Sequence, residues 1–209
     1  MATTTGPLMS LDASGTIAKT ITFAKWKGRA YVRTRVIPHN PKSATQVATR
    51  SLMTFLTRQW AADVVPDTWV PLADSKKISP FNEYVSYNMA QFTQFLFPST
   101  TYPAARTSTG VALASLTSVG GVKQITGVIG SGGNVNSWGL VVAISTTTGF
   151  TPARDTIRLV LKDDQGTNLV SYTLPGLAPG NYFVRAANFN IDGTLGAFHA
   201  QTTATVTAS

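Results

Sequence analysis

Residues 177–197 read LAPGNYFVRAANFNIDGTLGA, and their pattern decides the fold class. Asn181 to Asn188 is an apolar and aromatic run of strand length. LPGLAPG closes it on one side and NIDG on the other, and both are rich in the Gly, Pro, Asn and Asp that favour chain reversal. The same alternation of short run and turn extends back to residue 111. Val111–Ser118, Val122–Ile129, Trp138–Ser145, Thr156–Leu161, Leu169–Leu174, Asn181–Asn188 and Phe198–Val206 make seven runs. Gly120-Gly121, SGGN, TTTGFTP and KDDQG separate the earlier ones. Seven strands over about 100 residues at this spacing predict an immunoglobulin-like β-sandwich.

The segment from Leu177 to Asn188, followed by DGTLGA from Asp192 to Ala197, resembles the E–F corner, F strand and F–G turn of a fibronectin type III domain. The resemblance implies that Tyr182 is the corner tyrosine, its hydroxyl bonded back to upstream backbone. It also implies that Trp138, ahead of the run GLVVAI, is the buried tryptophan of the sandwich. The spacing from Leu177 to Tyr182 is one residue shorter than the usual type III pattern.

The charge lies elsewhere. Between Ala13 and Ala62 there are nine Lys or Arg and no Asp or Glu, a local +9 against +8 for the whole chain. From Val111 onward five basic residues meet four acidic ones. Within the basic stretch, Thr16–Trp26 and Arg29–Ile37 flank Lys27-Gly28 and read as a β-hairpin. With a two-residue loop, Phe23 faces Val32 and Ile21 faces Thr34. One side then holds Ile21, Phe23, Ala30, Val32 and Val36. The other gathers Trp26, Arg29, Tyr31, Arg33 and Arg35 with Thr20 and Thr22. Arginine and aromatic residues on one face make those five the candidate partner-binding residues, together with Arg50 and Arg58.

Pro38 and Pro41 make a connector, and Ser43 is an N-cap candidate for a helix from about Ala44 to Trp60. Ala48, Leu52, Phe55 and Leu56 fall at helical spacing, widened by Met53 and Trp60, while Arg50, Thr54 and Arg58 line another edge. Asp63 to Lys77 is broken by prolines and reads as irregular, with Trp69 and Leu72 able to pin it to a core. Ser79-Pro80 starts a second helix, to about Leu96. The expected organisation is mainly β. A flexible arm (1–14) leads into an α+β docking unit of hairpin and two helices (15–97). A linker (98–110), PSTTYPAARTSTG, then precedes the sandwich (111–209).

Chemistry of the catalytic kind finds no foothold. The chain has no cysteine and two histidines, His39 and His199, neither in a motif with a carboxylate. KDDQG is hairpin-turn chemistry, and Gly130-Ser-Gly-Gly133 lacks the Lys and Ser/Thr of a phosphate loop. The expectation is a non-enzyme without cofactor or metal. No apolar run approaches the ~20 residues that cross a bilayer, and MATTTGPLMSLDASG lacks the features of a signal peptide.

The pattern Gly15-x-Ile17, Phe23, Trp26-x-Gly28-Arg29-x-Tyr31-Val32-Arg33, then Pro38-x-Asn40-Pro41-x-Ser43-x-x-Gln46, is similar to a segment of some virion structural proteins of tailed bacteriophages. Ile78-Ser-Pro-Phe-Asn82-x-Tyr84-Val-Ser-x-Asn88 suits the same group. This resemblance implies a virion location and partners among capsid, portal or tail proteins, in multiple copies, with the sandwich facing outward. The alternative partner for the Arg/aromatic face is single-stranded nucleic acid.

Overall fold

The computed structural model describes residues 2–3, 15–17, 20–36, 43–110, 112–132, 137–163 and 169–208. The chain divides into two compact units, Met1–Pro41 and Lys42–Ser209.

The described residues of the first unit form an antiparallel sheet of four strands, β1 (Ala2–Thr3), β2 (Gly15–Ile17), β3 (Ile21–Trp26) and β4 (Arg29–Thr34), in the order β1-β4-β3-β2. Lys27 (φ 48°) and Gly28 (φ 80°) form the β3–β4 turn. Two positive φ values define the mirror-image turn whose twist matches a two-residue hairpin. The register follows, pairing Phe23 with Val32, Ile21 with Thr34 and Trp26 with Arg29. The run expected as one strand from Thr16 to Trp26 is two: Gly15 pairs with Phe23 and Ile17 with Ile21. An isolated hairpin is marginal in water, and β2 and β1 extend its ladder on both sides. Ala2–Thr3 of the expected arm thus belongs to this sheet, while 4–14 lies outside the described residues.

The second unit contains the sandwich. β5 (Ser115–Leu116), β6 (Val119–Gly121), β7 (Gln124–Gly130) and β10 (Leu169–Pro175) form one antiparallel sheet, β10-β7-β5 with β6 also on β7. β8 (Ser137–Ser145), β9 (Ile157–Lys162), β11 (Gly180–Asn190) and β12 (Thr202–Val206) form the other, β12-β11-β8-β9. In immunoglobulin letters these are A-B-E and G-F-C-C′: the strand after C pairs with C itself. The fold is therefore mainly β, with a fibronectin type III-like or immunoglobulin-like sandwich. The core between the sheets holds Ile125, Ile129, Leu140, Val142, Ile144, Tyr172 and Val184. The Tyr182 hydroxyl donates to the Ala178 carbonyl at 3.0 Å, the corner bond the resemblance implies.

Three helices belong to the same unit: α1 (Ala44–Ala62), α2 (Val70–Lys76) and α3 (Pro80–Thr93). Ser79 caps α3, accepting from the Asn82 amide at 3.2 Å with Pro80 at the first turn. Ser43 precedes α1 without a side-chain cap bond. The segment expected to be irregular contains a 3-10 turn (Pro66–Thr68) and α2. Its prolines occupy first-turn positions, where a missing N–H costs nothing, so they start helices instead of breaking them.

The helices cover the outer face of the β12-β11-β8-β9 sheet. Leu52, Phe55, Leu56, Trp69 and Tyr84 share a core with Val141, Val160, Ala187 and Phe189. Gly139 makes room for this packing: a Cβ there would lie 2.2 Å from the Phe189 ring. Trp138 is 3% exposed but belongs to this helix-facing core, edge-on to Phe55 at 4.9 Å, and not to the core between the sheets. Trp60 packs edge-on to Phe81 at 5.6 Å, whereas Met53 of the expected stripe is exposed.

The expected boundary at 98–110 is consequently displaced. The helices expected in the docking unit fall in the compact unit of the sandwich, because their apolar stripes and the outer face of the sheet bury each other. The segment expected to be a linker is held throughout. Asn88 clasps Ser99, its Nδ2 donating to the Ser99 carbonyl (3.1 Å) and its Oδ1 accepting from the Ser99 amide (2.8 Å). Arg106 donates to the carbonyls of Phe97 and Gly193. Asp192, in the β11–β12 connection, accepts from the amides of Thr107 (2.9 Å) and Ser108 (2.8 Å) and from the Ser108 hydroxyl (2.8 Å).

Candidate functional site

On the first unit, alternation along paired strands places Thr22, Ala24, Trp26, Arg29, Tyr31 and Arg33 on one face. The Arg35 amide donates to the Thr20 carbonyl at 2.6 Å, extending the ladder and the alternation to Arg35. Five of the seven expected partner-binding residues therefore share this face. Trp26 is 65% exposed, and the Lys27 ammonium lies 4.8 Å from its ring centroid. Arg29, Arg33 and Arg35 are exposed and Tyr31 is half-buried. The opposite face carries Phe23, Ala30 and Val32, all half-buried, and Ile21, which is exposed.

Arg50 and Arg58 belong to the second unit, both exposed on α1. α1 runs along β9, the edge strand of its sheet. At the crossing the Ser51 hydroxyl donates to the Val160 carbonyl (2.9 Å) and accepts from the Val160 amide (2.7 Å). One side chain thus does what a neighbouring strand would do for that residue. To either side of this contact a groove opens. One, of about 590 Å³, is lined by Phe55, Arg58, Ala62, Leu159, Leu161 and Lys162 among others. The other, of about 330 Å³, is lined by Val47, Arg50, Arg158, Leu174, Pro175 and Leu177. Arg158 and Lys162 were not singled out in the sequence. Their signal is weak: β9 shifts register between Ile157 and Leu159, so spacing along the strand does not put Arg158 and Lys162 on one face.

Several cations of the second unit already have partners within it. Arg154 stacks over Phe92 at 4.3 Å and donates to the Thr49 hydroxyl, and burial lowers its pKa. Arg185 donates to the carbonyls of His199 and Phe150. Lys76 pairs with the buried Glu83. Arg158 donates to the Asp155 carbonyl at 2.8 Å, and burial lowers its pKa while Asp155 and Tyr182 oppose that shift. Lys162 lies 4.0 Å from Asp63, whose carboxylate also accepts from Trp138 Nε1 (3.0 Å) and Gln59 Nε2 (2.5 Å).

Among the described residues no three of His, Cys, Asp or Glu gather to hold a metal ion. His39 lies outside them, and the His199 amide donates to the Ala186 carbonyl at 2.8 Å. Likewise among them, no helix is long and apolar enough to cross a membrane.

No protein family and no curated protein matches this chain. Several solved structures resemble part of it. A family 76 glycoside hydrolase from a bovine Bacteroides thetaiotaomicron strain matches 46% of this chain at 17% identity and TM-score 0.39, and the match spans only 20% of that chain. A Fn3-like protein from Clostridium thermocellum matches 49% of this chain and 98% of its own, at 13% identity and TM-score 0.37. The chicken CNTN1 FN1–FN3 domains match 48% of this chain and 35% of theirs, at 18% identity and TM-score 0.34.

Proposed function

We propose that this chain is a structural component of a virus particle, a capsid decoration, collar or tail accessory protein. On this reading its N-terminal sheet docks onto an acidic surface of a neighbouring particle protein. The observation that carries the reading is the state of that sheet: no described residue of β3 or β4 is fully buried. A sheet gains most of its stability by burying one face. Ile21, Phe23, Ala30 and Val32 gain that burial when a further surface covers them. The other face offers arginines and aromatics, the residue types in which interface energy concentrates. Nine positive charges without a neighbouring carboxylate in sequence favour an acidic partner.

The test is the triple variant Arg29→Glu, Arg33→Glu, Arg35→Glu, with its amount in purified particles measured against wild type. Loss of incorporation with unchanged circular dichroism is expected. Undiminished incorporation refutes docking through this face. One observation favours a second reading, single-stranded nucleic acid: the exposed Trp26 ring shares its face with three arginines. A gel-shift at two salt concentrations separates the two, since counterion release makes nucleic-acid binding fall steeply with salt.

A further inference from the structure

The strand edges of the second unit are unequally covered. α1 runs along β9, and β6 lies against β12. On the far side of β7 the strands are short, β5 having two residues and β6 three. β10 differs: it runs seven residues, Leu169–Pro175, and among the described strands it pairs with β7 alone.

The register fixes which backbone groups of β10 face outward. The carbonyls of Val128 and Gly130 accept from the amides of Thr117 and Ala114, so these two residues of β7 face β5. Ile125, Gly127 and Ile129 therefore face β10, opposite Leu174, Tyr172 and Val170. Ser171 and Thr173 turn their N–H and C=O groups to the open side, and both side chains are exposed on the outer face of the sheet. Protein edges are commonly guarded by Lys, by a bulge or by an inward-pointing charge. Leu169–Pro175 has no charged residue and an unbroken register. Pro175, at its last position, is the one residue there without an N–H to offer.

We infer that β10 is the contact strand of a two-fold homodimer, pairing antiparallel with β10 of a second copy. An axis through Tyr172 sets Ser171 opposite Thr173 of the second copy. The two residues then exchange both backbone hydrogen bonds, and the symmetry repeats the exchange. Their hydroxyls stand side by side on the outer face, an arrangement that adds to strand pairing. Leu169, 60% exposed, meets Pro175 of the second copy on the same face. At the Pro175 end a groove of about 330 Å³ lies between the strand and α1. A second copy is the fitting occupant because the strand is its own complement. The pairing brings no like charges together along the strand, although the whole chain carries +8. It also closes on itself, since an isologous contact uses the same edge of both copies and leaves none for a third.

The strand lies in the second unit, so this inference and docking through the N-terminal sheet fail separately. A single added strand makes a small contact, below the about 1,200 Å² of stable interfaces, so the dimer is weak. The full chain is followed by sedimentation velocity from about 10 µM to about 1 mM, a range suited to such weak contacts. A reversible monomer–dimer equilibrium without larger species is expected. Hydrogen exchange gives the second readout. The Ser171 and Thr173 amides should gain protection as the dimer forms, whereas Val170, Tyr172 and Leu174 are protected by β7 in both states. Ser171→Lys with Thr173→Lys sets like charges across the axis without touching a bond to β7, and should weaken dimerisation at least about tenfold. Thr173→Pro, which removes one outward N–H, should weaken it too. The Arg29→Glu, Arg33→Glu, Arg35→Glu variant should still dimerise. A monomer throughout, the outcome for an edge reserved for a different protein, overturns the inference. So does a dimer that leaves the Ser171 and Thr173 amides unprotected, undiminished dimerisation of the folded double-Lys variant, or growth beyond the dimer.

Discussion

Phe55→Ala removes the side chain that joins the helical layer to the sandwich. The ring is 3% exposed and packs edge-on to Trp138 at 4.9 Å and Phe189 at 5.4 Å. Truncating a buried Phe to Ala costs about 3–5 kcal/mol through lost transfer energy and the cavity left behind. Each edge-to-face pair adds about 0.5–1.5 kcal/mol beyond its area, which places this site near the top of that range. With a urea slope of about 2 kcal/mol per M, a loss of about 5 kcal/mol moves the unfolding midpoint down by about 2.5 M. Two probes should move together. Trp60, Trp69 and Trp138 fluorescence reports the helix-facing core, and hydrogen exchange at the amides of β7 and β10 reports the far sheet. If the fluorescence transition shifts while β7 and β10 keep their protection, the helices and sandwich are not one cooperative unit. The layered account would then be wrong.

Two further expectations follow from single side chains. Ser51→Ala should cost about 1–3 kcal/mol, because it strips both backbone partners from Val160 at a sheet edge, and chemical denaturation measures it. Asp192 is the pH-sensitive case. Burial raises its carboxyl pKa, but hydrogen bonds from Ser108 and Thr194 outweigh that and bring it from 3.8 to about 2. A depressed folded pKa contributes stability above pH 3.8 that is lost as pH falls through about 2. In full the shift corresponds to about 2 kcal/mol, which solvent screening at a half-exposed site reduces to about 1 kcal/mol. The Tm gap between wild type and Asp192→Asn should therefore close between about pH 5 and pH 2, and a gap independent of pH would refute the assignment.

The strands were legible because each is bounded by Gly, Pro or Asn, and all the runs after Val122 became strands within a few residues. The hairpin register was legible because Lys27-Gly28 leaves a two-residue loop few alternatives. What hid the layering was local reading of α1 and α3. An amphipathic stripe such as Leu52, Phe55 and Leu56 shows that a face is buried, not what covers it. The missing half of the statement lay in Leu140-Val-Val-Ala-Ile144, a continuous apolar run. A strand with one wet face alternates, whereas an unbroken run marks a strand covered on both sides. The supposed linker misled for a related reason. Its Ser, Thr and Pro composition resembles a tether, yet Ser99, Arg106 and Ser108 are held by Asn88, Gln91 and Asp192 from elements on either side of it in sequence. Charge and aromatic pattern grouped Trp26, Arg29, Tyr31, Arg33 and Arg35 as the strand pairing does, but set beside them Arg50 and Arg58, which the fold carries in the other unit. Arg158 and Lys162 went unnoticed because only the path of α1 along β9 sets them in the same grooves as Arg50 and Arg58.

The Ser51 clasp has a bearing on crowding. A bare sheet edge invites a second copy to add a strand, and the hazard grows with local concentration. In the β12-β11-β8-β9 sheet one edge is occupied by α1 through Ser51, and the other meets the Val122–Thr207 bridge. Gly120 allows that second closure, since a Cβ there would lie 1.8 Å from the Thr205 carbonyl oxygen. Many copies side by side on one scaffold would therefore not zip into a continuous ladder through this sheet. Replacing Ser51 or Gly120 would show itself first as turbidity on concentration, before any loss of secondary structure in dilute solution.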